Sequence, residues 1–189
     1  MVDFQFFVWL FPLLFMFHDF EEIIFLHPWS VKNVERLTRK YPRVASRLMS
    51  TYVNLATPSI AFGIAEIFIL LSVVTIISVL LSWYYLWFGM FLFFTIHLVV
   101  HCIPCLVIRG YVPGVVTSVL CLPFCSYIVW LFMGHHEAPL DQIILFIIVG
   151  FAVWLVYFAG VQLSMRVFNK WLSNYRERSR SHDPPQNLL

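Results

Sequence analysis

A series of apolar runs, each near the length of a membrane-spanning helix, constrains the fold of this chain most strongly. Such a helix needs about 20 mostly apolar residues, and the candidate runs cover about 4–27, 58–81, 83–107, 112–133 and 140–165. Only 12% of the residues are charged and 61% are hydrophobic, whereas soluble domains carry about 25% charged residues. The sequence therefore predicts an all-α polytopic membrane protein in which residues 1–166 form a five-helix transmembrane domain.

The basic residues predict the orientation of these helices. All 12 lysines and arginines lie in three segments, namely 32–47, Arg109 and 166–180. Five spans place these segments on one side of the membrane, which the positive-inside rule assigns to the cytoplasm. We therefore expect an integral protein of the cell membrane (the inner membrane in a bacterium) with its N-terminus outside and its C-terminus cytoplasmic.

Two polar segments flank the spans. Between the first and second runs, apolar residues recur at helical spacings with basic residues opposite them, which predicts an amphipathic helix lying on the cytoplasmic surface of the membrane. Its apolar positions are Val31, Val34, Leu37, Val44 and Leu48. Residues 167–189 are polar and basic, and we expect this tail to be disordered.

The first apolar run contains an unusual polar insertion, "HDFEE", at residues 18–22. Without it, residues 4–17 would form a helix of only about 21 Å, and the hydrocarbon core is about 30 Å thick. The helix must therefore continue to about Pro28. The ionisable residues of the insertion then lie inside the membrane.

Ionisable residues in two other runs fall at a similar depth, about 8–15 Å from the cytoplasmic boundary at 1.5 Å per residue. They are Glu66, His97 and His101. At 100° per residue, His97 and His101 share one helix face, as do His18, Glu21 and Glu22, whereas Asp19 points elsewhere as a supporting partner. Because an unpaired acid in a membrane costs about 2.5–3.5 kcal/mol on insertion scales, these groups are expected to face one another, a metal or a wet cavity.

Imidazoles and carboxylates on facing helices are the ligand set of a metal site in a bundle. The predicted metal ligands are His18, Glu22, Glu66, His97 and His101. Without thiolates, such a site suits zinc, iron or manganese, as one metal or two. Glu21 or Glu22 would serve as general base, and Arg109 would hold a substrate headgroup; these three form the predicted catalytic set. We expect metal-dependent hydrolysis or oxidation of a lipid or another membrane-soluble substrate.

Three alternatives stay open from the sequence. The first is a metal-free enzyme in which a buried Glu beside a neutral His shifts a proton on a lipid. The second is an ion, proton or small-molecule transporter, and the third is a hydrogen-bond network that only fastens the bundle. Membrane lipids are the expected partners, no feature indicates nucleic acid, and a homodimer is left open.

The polar motifs also resemble a known family. "HDFEE" fits the His-x-x-Glu-Glu pattern of the HXXEE family, and the resemblance continues along residues 7–131. Its further elements are His97 and His101 before Arg109, then Tyr111-Val112-Pro113-Gly114, Thr117, Ser118 and Pro123. It implies a small multi-pass membrane protein, expected to be an enzyme, with no defined substrate. The layout of five helices with intramembrane His and Glu is also similar to that of emopamil-binding sterol isomerases, at the level of layout alone.

Overall fold

The computed structural model describes residues 4–42, 46, 52–135 and 140–182 of the chain. These residues form five α-helices, which confirms the all-α prediction. In chain order they are α1 (Phe4–Lys40), α2 (Thr57–Leu81), α3 (Tyr84–Ile108), α4 (Val115–His135) and α5 (Leu140–His182).

Four of these helices contain segments that are long and apolar enough to cross a membrane. The segments are Thr57–Leu81, Tyr84–Ile108, Val115–Gly134 and Ile143–Ser179. The chain is therefore a membrane protein. Helix α1 does not belong to this set because the polar insertion at residues 18–22 lowers its mean hydropathy, although its 37 residues give it a length of about 55 Å.

The second, third and fourth apolar runs become helices with bounds close to the predicted ones. Helix α2 begins with Pro at its second position, where the missing N–H costs no hydrogen bond. It ends at Ser82, whose left-handed backbone (φ 57°) lets its N–H bond to Ser78. Helix α3 starts two residues later, at Tyr84. A tight turn therefore joins α2 and α3.

The structure corrects the predicted end of the first helix. Proline disfavours a helical conformation in the residue before it, yet α1 continues through Pro28 to Lys40. Trp29 explains part of this continuation, because its Nε1 donates a hydrogen bond of 2.8 Å to the Tyr111 carbonyl. Leu37 is buried against a small apolar cluster that includes Ile108 of α3. Of the apolar positions of the predicted surface helix, Val34 and Leu37 thus pack on protein, whereas Val31 is exposed. Val44 and Leu48 lie outside the described residues.

The expected disorder of the tail is corrected over residues 167–182, which continue α5 to His182. These residues include Arg, Lys, Leu and Glu, which favour helix formation, and the first prolines after the spans are Pro184 and Pro185. Residues 183–189 lie outside the described part of the chain.

The helices form an antiparallel bundle whose two ends differ in chemistry. At one end Gln5 Nε2 of α1 donates to the Tyr84 hydroxyl of α3. At the other, Tyr41 Oη donates to the Val107 carbonyl, and this end carries the described lysines and arginines. We call it the basic end.

Aromatic side chains fill the half of the bundle away from the basic end. Phe11, Trp87, Phe91 and Phe94 are fully buried, and the rings of Trp87 and Phe91 stack with centroids 4.8 Å apart. Large apolar residues also cover the outer surface of the helices, as expected where lipid is the solvent. The polar residues of α1 and α3 begin where this aromatic core ends.

Candidate metal centre

Four of the predicted site residues meet between α1 and α3. His18, Glu22, His97 and His101 each offer one ligand atom, and these atoms all lie within 4.8 Å of one another. Spacings of four residues on both helices bring each pair onto one face. We call these four residues the His–Glu cluster.

Two distances inside the cluster are close to those between the ligands of a metal ion. His101 Nε2 lies 3.0 Å from His97 Nε2 and 3.0 Å from Glu22 Oε1. Two ligand atoms on a tetrahedral ion with bonds of 2.0–2.1 Å are about 3.3 Å apart. These two pairs therefore already lie at about the separation that a small divalent cation requires.

A hydrogen bond made by His101 Nδ1, the ring nitrogen away from the cluster, determines the tautomer of His101. Nδ1 lies 3.2 Å from the Pro113 carbonyl; because a carbonyl only accepts, Nδ1 carries the hydrogen. A neutral His101 then has its lone pair on Nε2, which points at Glu22 and His97. Such a hydrogen bond on the far side of the ring is how proteins orient metal-binding histidines.

His18 is oriented by a longer relay that ends at Glu21. The Thr117 hydroxyl donates to Glu21 Oε2 at 2.6 Å, which leaves its oxygen to accept from His18 Nδ1 at 3.1 Å. His18 Nε2 thereby keeps its lone pair, and it is buried without a hydrogen-bond partner among the described residues. An unpartnered lone pair in this position is the state of a ligand ready for a metal.

Glycine is required where the chain passes the cluster. Gly114 has a positive φ of 88°, a conformation that residues with a Cβ rarely adopt. A Cβ at this position would lie 2.5 Å from His101 Nδ1. The Pro113–Gly114 turn therefore supports the His101 ring directly.

Glu21 lies beside the cluster but faces the start of α4. Its carboxylate accepts hydrogen bonds from four donors on three residues: the Tyr111 hydroxyl at 2.8 Å, the Val116 N–H at 3.4 Å, and the Thr117 N–H and hydroxyl at 2.8 and 2.6 Å. The free N–H groups and positive dipole of a helix N-terminus stabilise such an anion. These donors give Glu21 the geometry of a helix cap more than that of a general base.

Tyr111 stays a hydrogen-bond donor in this arrangement. It lies in the loop between α3 and α4, and burial followed by the interactions with Glu21 raises the pKa of its hydroxyl above the ordinary value. The hydroxyl is therefore protonated at physiological pH. The hydrogen bond from the Tyr111 hydroxyl to Glu21 connects this loop to α1.

Glu66, the remaining predicted ligand, lies outside the cluster. Its Oε2 accepts from the Ser164 hydroxyl of α5 at 2.5 Å, and its backbone carbonyl accepts from Tyr157 Oη at 2.9 Å. The predicted depth is similar, but the side chain faces α5 instead of α1 and α3. The angular position of Glu66 about the axis of α2 directs its side chain away from the histidines.

Arg109 and Asp19, which the sequence also singled out, lie outside the His–Glu cluster. Arg109 forms the C-cap of α3 in a left-handed conformation (φ 53°) and is exposed at the basic end. Its predicted contact with a headgroup stays a prediction. Asp19 is buried, and its Oδ2 has no partner within the described residues.

Several residues that orient the cluster have no chemical signature of their own in the sequence. Thr117, Tyr111 and the Pro113 carbonyl act through hydrogen bonds that depend on how α4 docks on α1. The signal that could have found them is their presence in the motifs shared with the HXXEE family. Sequence spacing alone does not relate residue 18 to residue 117.

The fold and site thus define a helical membrane protein with a histidine- and glutamate-rich centre. A family model described as "Protein of unknown function with HXXEE motif" matches residues 9–128, and the chain belongs to this family. No curated protein and no solved structure matches the chain.

Proposed function

We propose that the protein is an integral membrane enzyme that depends on a divalent metal and acts on a lipid or another membrane-soluble substrate. The observation that carries this proposal is the convergence of four ligand atoms within 4.8 Å. Nitrogen and oxygen ligands without thiolate favour zinc, iron or manganese.

The proposed topology has all five helices in the membrane. Helix α1 packs against α2, α3 and α4, so its polar residues are shielded from lipid, as intramembrane charges usually are. The basic end would face the cytoplasm under the positive-inside rule, with the N-terminus outside. The His–Glu cluster would then lie in the cytoplasmic half of the membrane.

The residues of the cluster would have two roles, metal binding and proton transfer. A bound metal would supply Lewis acidity and an acidic water. His18, His97 and His101 present three ring nitrogens to it, while Glu22 either completes the ligand set or accepts a proton. Both oxygens of Glu21 are engaged by donors of α4 and its loop, so proton transfer is assigned to Glu22 and not to Glu21. Hydrolysis and oxidation are both compatible with this set.

Elemental analysis of the full chain purified in detergent tests the proposal. We expect about one zinc, iron or manganese per chain in the wild type, and less than about 0.1 in His97→Ala and His101→Ala, because the site loses a ligand in each case. His27→Ala is the matched control, since His27 lies on α1 but bonds to the Tyr52 carbonyl instead of the cluster. A wild-type content below about 0.2, unchanged in the variants, would exclude the metal-dependent function.

One observation favours a metal-free acid–base enzyme as the second candidate. If His101 carried hydrogens on both nitrogens, Nδ1 would donate to Pro113 and Nε2 to Glu22, giving an imidazolium–carboxylate pair at 3.0 Å. Such a pair could shift a proton on a lipid. Turnover that survives complete removal of metal by a chelator would favour this candidate.

A further inference from the structure

A groove opens on the outer surface of the bundle between α1, α4 and the loop that joins α3 to α4. Its volume is about 470 Å³, which lies within the range of about 300–1,000 Å³ that is usual for ligand sites. The side chains that form its sides are each 42% to 53% exposed. They are Phe17, Phe20 and Phe25 of α1, Tyr111 of the loop and Val116 of α4. We call this concave surface the α1–α4 groove.

The polar side chains that line the α1–α4 groove are already paired with one another. Glu21 and Thr117 belong to its lining, but Glu21 is only 6% exposed. Its two oxygens accept hydrogen bonds from Thr117 and Tyr111. A polar group placed in the groove would find no unpaired partner among these described residues, and an unpaired polar group in apolar surroundings is costly. The part of a ligand that lies in the groove is therefore hydrocarbon.

The direction and depth of the groove match those of a lipid chain. Along α1 it extends from residue 17 to residue 25, or about 12 Å at 1.5 Å per residue. In the proposed topology α1 crosses the membrane and leaves its hydrocarbon core near Pro28. A chain that lies along α1 in this groove is therefore inside the hydrocarbon core, and it points towards the headgroups at the basic end.

Two basic residues of α1 lie beyond this end of the groove, on the same side of the helix. At 100° per residue, Lys32 and Arg36 are each within about 20° of Phe25. Lys32 lies about 6 Å beyond Pro28, and the headgroup layer is about 5–7 Å thick. Because helical side chains lean towards the N-terminus of their helix, both cations lean back towards the membrane. They are therefore placed to meet the phosphate of a lipid whose chain lies beside Phe25.

The charge at this end favours an anionic lipid over a zwitterionic one. Lys32, Arg36 and Arg109 are exposed, and no described carboxylate forms an ion pair with any of them. The nearby Glu35 lies 3.9 Å from Arg39 instead. Each basic residue near the surface favours an anionic headgroup by about fivefold. Choline or ethanolamine headgroups carry a positive group that offsets this attraction.

We propose that the α1–α4 groove binds one acyl chain of an anionic glycerophospholipid, whose phosphate lies against Lys32 and Arg36. Arg109, at the end of α3, adds to the positive field around that phosphate. The inference uses the proposed topology of α1 and goes beyond the proposed function, since it requires neither a metal nor a reaction. The bound chain would contact both Phe25 and Val116 and so connect α1 to α4.

Photolabelling of the full chain in nanodiscs tests this assignment. The nanodiscs consist of dioleoylphosphatidylcholine with a small fraction of phosphatidylglycerol that carries a diazirine in the middle of one chain. The comparison probe is phosphatidylcholine with the same diazirine chain. We expect phosphatidylglycerol to label peptides that contain Phe20, Phe25 or Val116 at least about tenfold more strongly, because two basic residues each contribute about fivefold.

Removing the two cations should abolish the preference for phosphatidylglycerol. In Lys32→Gln/Arg36→Gln we expect the ratio of the two probes at the groove to fall to about twofold or less, since most of the charge attraction is lost. Arg166→Gln/Lys170→Gln is the matched control. It removes the same charge from exposed positions of α5 at the basic end, and it should keep the wild-type ratio.

Filling the groove should abolish the labelling within it. Val116→Trp places a large side chain in the groove and leaves the hydrogen bond from the Val116 N–H to Glu21 in place. Labelling of the Phe20 and Phe25 peptides by phosphatidylglycerol should fall to the level of phosphatidylcholine. Val119→Trp is the control, because Val119 is also on α4 and is 58% exposed but does not line the groove. Its labelling should equal that of the wild type.

Four outcomes would overturn the assignment. They are equal labelling by the two probes in the wild type, a preference that survives both the cation and the groove variants, displacement of the probe by free glycerol phosphate, and a dimer in nanodiscs that Val116→Trp dissociates. The third would show that the chain does not contribute, and the fourth would assign the groove to a second copy of the protein. The cation and groove variants are independent, so one that fails to fold leaves the other decisive. The metal content of the wild type affects none of these results.

Discussion

Two interfaces of the bundle each contain a half-buried glutamate, and the groups that face the two carboxylates differ. At the α1–α3 interface, Glu22 faces the ring nitrogens of histidines, with His101 Nε2 at 3.0 Å. At the α2–α5 interface, Glu66 accepts a hydrogen bond from the Ser164 hydroxyl. Both carboxylates lie within apolar helices, so the comparison separates two ways of stabilising an acid in a membrane.

One oxygen of the Glu66 carboxylate accepts a hydrogen bond from a hydroxyl, whereas the Glu22 carboxylate faces ring nitrogens. A hydroxyl satisfies a carboxyl group as donor or acceptor. The cluster instead brings lone pairs of His18 and His101 towards a carboxylate, and such groups repel unless a cation or a proton lies between them. The metal that we propose therefore has its site at the α1–α3 interface and not at the α2–α5 interface.

Removing the cluster carboxylate should give the largest effect. We expect Glu22→Gln to lower metal affinity by more than about 100-fold, which exceeds the 10–100-fold loss typical of residues that only orient a ligand. Competition with a chromogenic chelator at fixed pH measures this affinity.

The control for Glu22→Gln is Glu35→Gln, also on α1, because the Glu35 side chain is 84% exposed. Its metal affinity should equal that of the wild type. If Glu22→Gln bound metal as tightly as Glu35→Gln, the carboxylate would not be a ligand, and three histidines alone would hold the ion.

Interrupting the relay behind His18 should give the next largest effect. Thr117→Val keeps the shape of the side chain but removes the hydroxyl that links Glu21 to His18 Nδ1. Because His18 is then free to place its hydrogen on Nε2, we expect metal affinity to fall about 10–100-fold. The ¹⁵N chemical shifts of the His18 ring, measured in metal-free protein, should show the change of tautomer.

Thr95→Val provides the comparison for Thr117→Val. Thr95 is buried on α3 and donates to the Phe91 carbonyl one turn away, so its loss should leave the metal affinity and the His18 tautomer unchanged. Unchanged affinity in Thr117→Val as well would show that Thr117 and Glu21 fasten α4 to α1 without influencing the centre.

Hydropathy predicted most of the fold, because the cost of exposing polar groups to lipid sets the length and spacing of the apolar runs. The bounds of α2 are Thr57–Leu81, within one residue of the prediction. The extensions of α1 and α5 were not predictable in this way. Beyond the bilayer, helix length depends on local contacts, such as that of Trp29 with the Tyr111 carbonyl.

The sequence predicted only part of the candidate site, because it gives the depth of a residue in the membrane but not the direction in which its side chain points relative to the other helices. Residue spacing gives the depth of a group along its helix, and it correctly grouped His18, Glu22, His97 and His101. It does not give the rotation of one helix relative to another. For that reason it could not show that Glu66 faces α5, nor that Glu21, one residue and 100° from Glu22, faces α4.

Neutralising Glu21 should affect stability more than metal binding. Glu21→Gln retains an acceptor but loses the charge that interacts with the N-terminus of α4, so we expect a loss of about 1–2 kcal/mol in unfolding free energy. Thermal unfolding in detergent, with Glu35→Gln as the exposed control, measures it. A loss of metal as large as that of Glu22→Gln would instead make Glu21 part of the ligand set.

The smallest effect is expected at the second interface, with Glu66→Gln. The amide oxygen can still accept the Ser164 hydrogen bond, so the unfolding free energy should change by no more than about 0.5 kcal/mol, as for an isosteric exchange that keeps this hydrogen bond. Metal content, measured in the same preparation, should equal that of the wild type. This variant is the most direct comparison of the two interfaces, because the same substitution is made at Glu22. If Glu66→Gln also lost its metal, the ligand set inferred from depth would be right, and α2 would have to turn Glu66 towards the histidines when the ion binds.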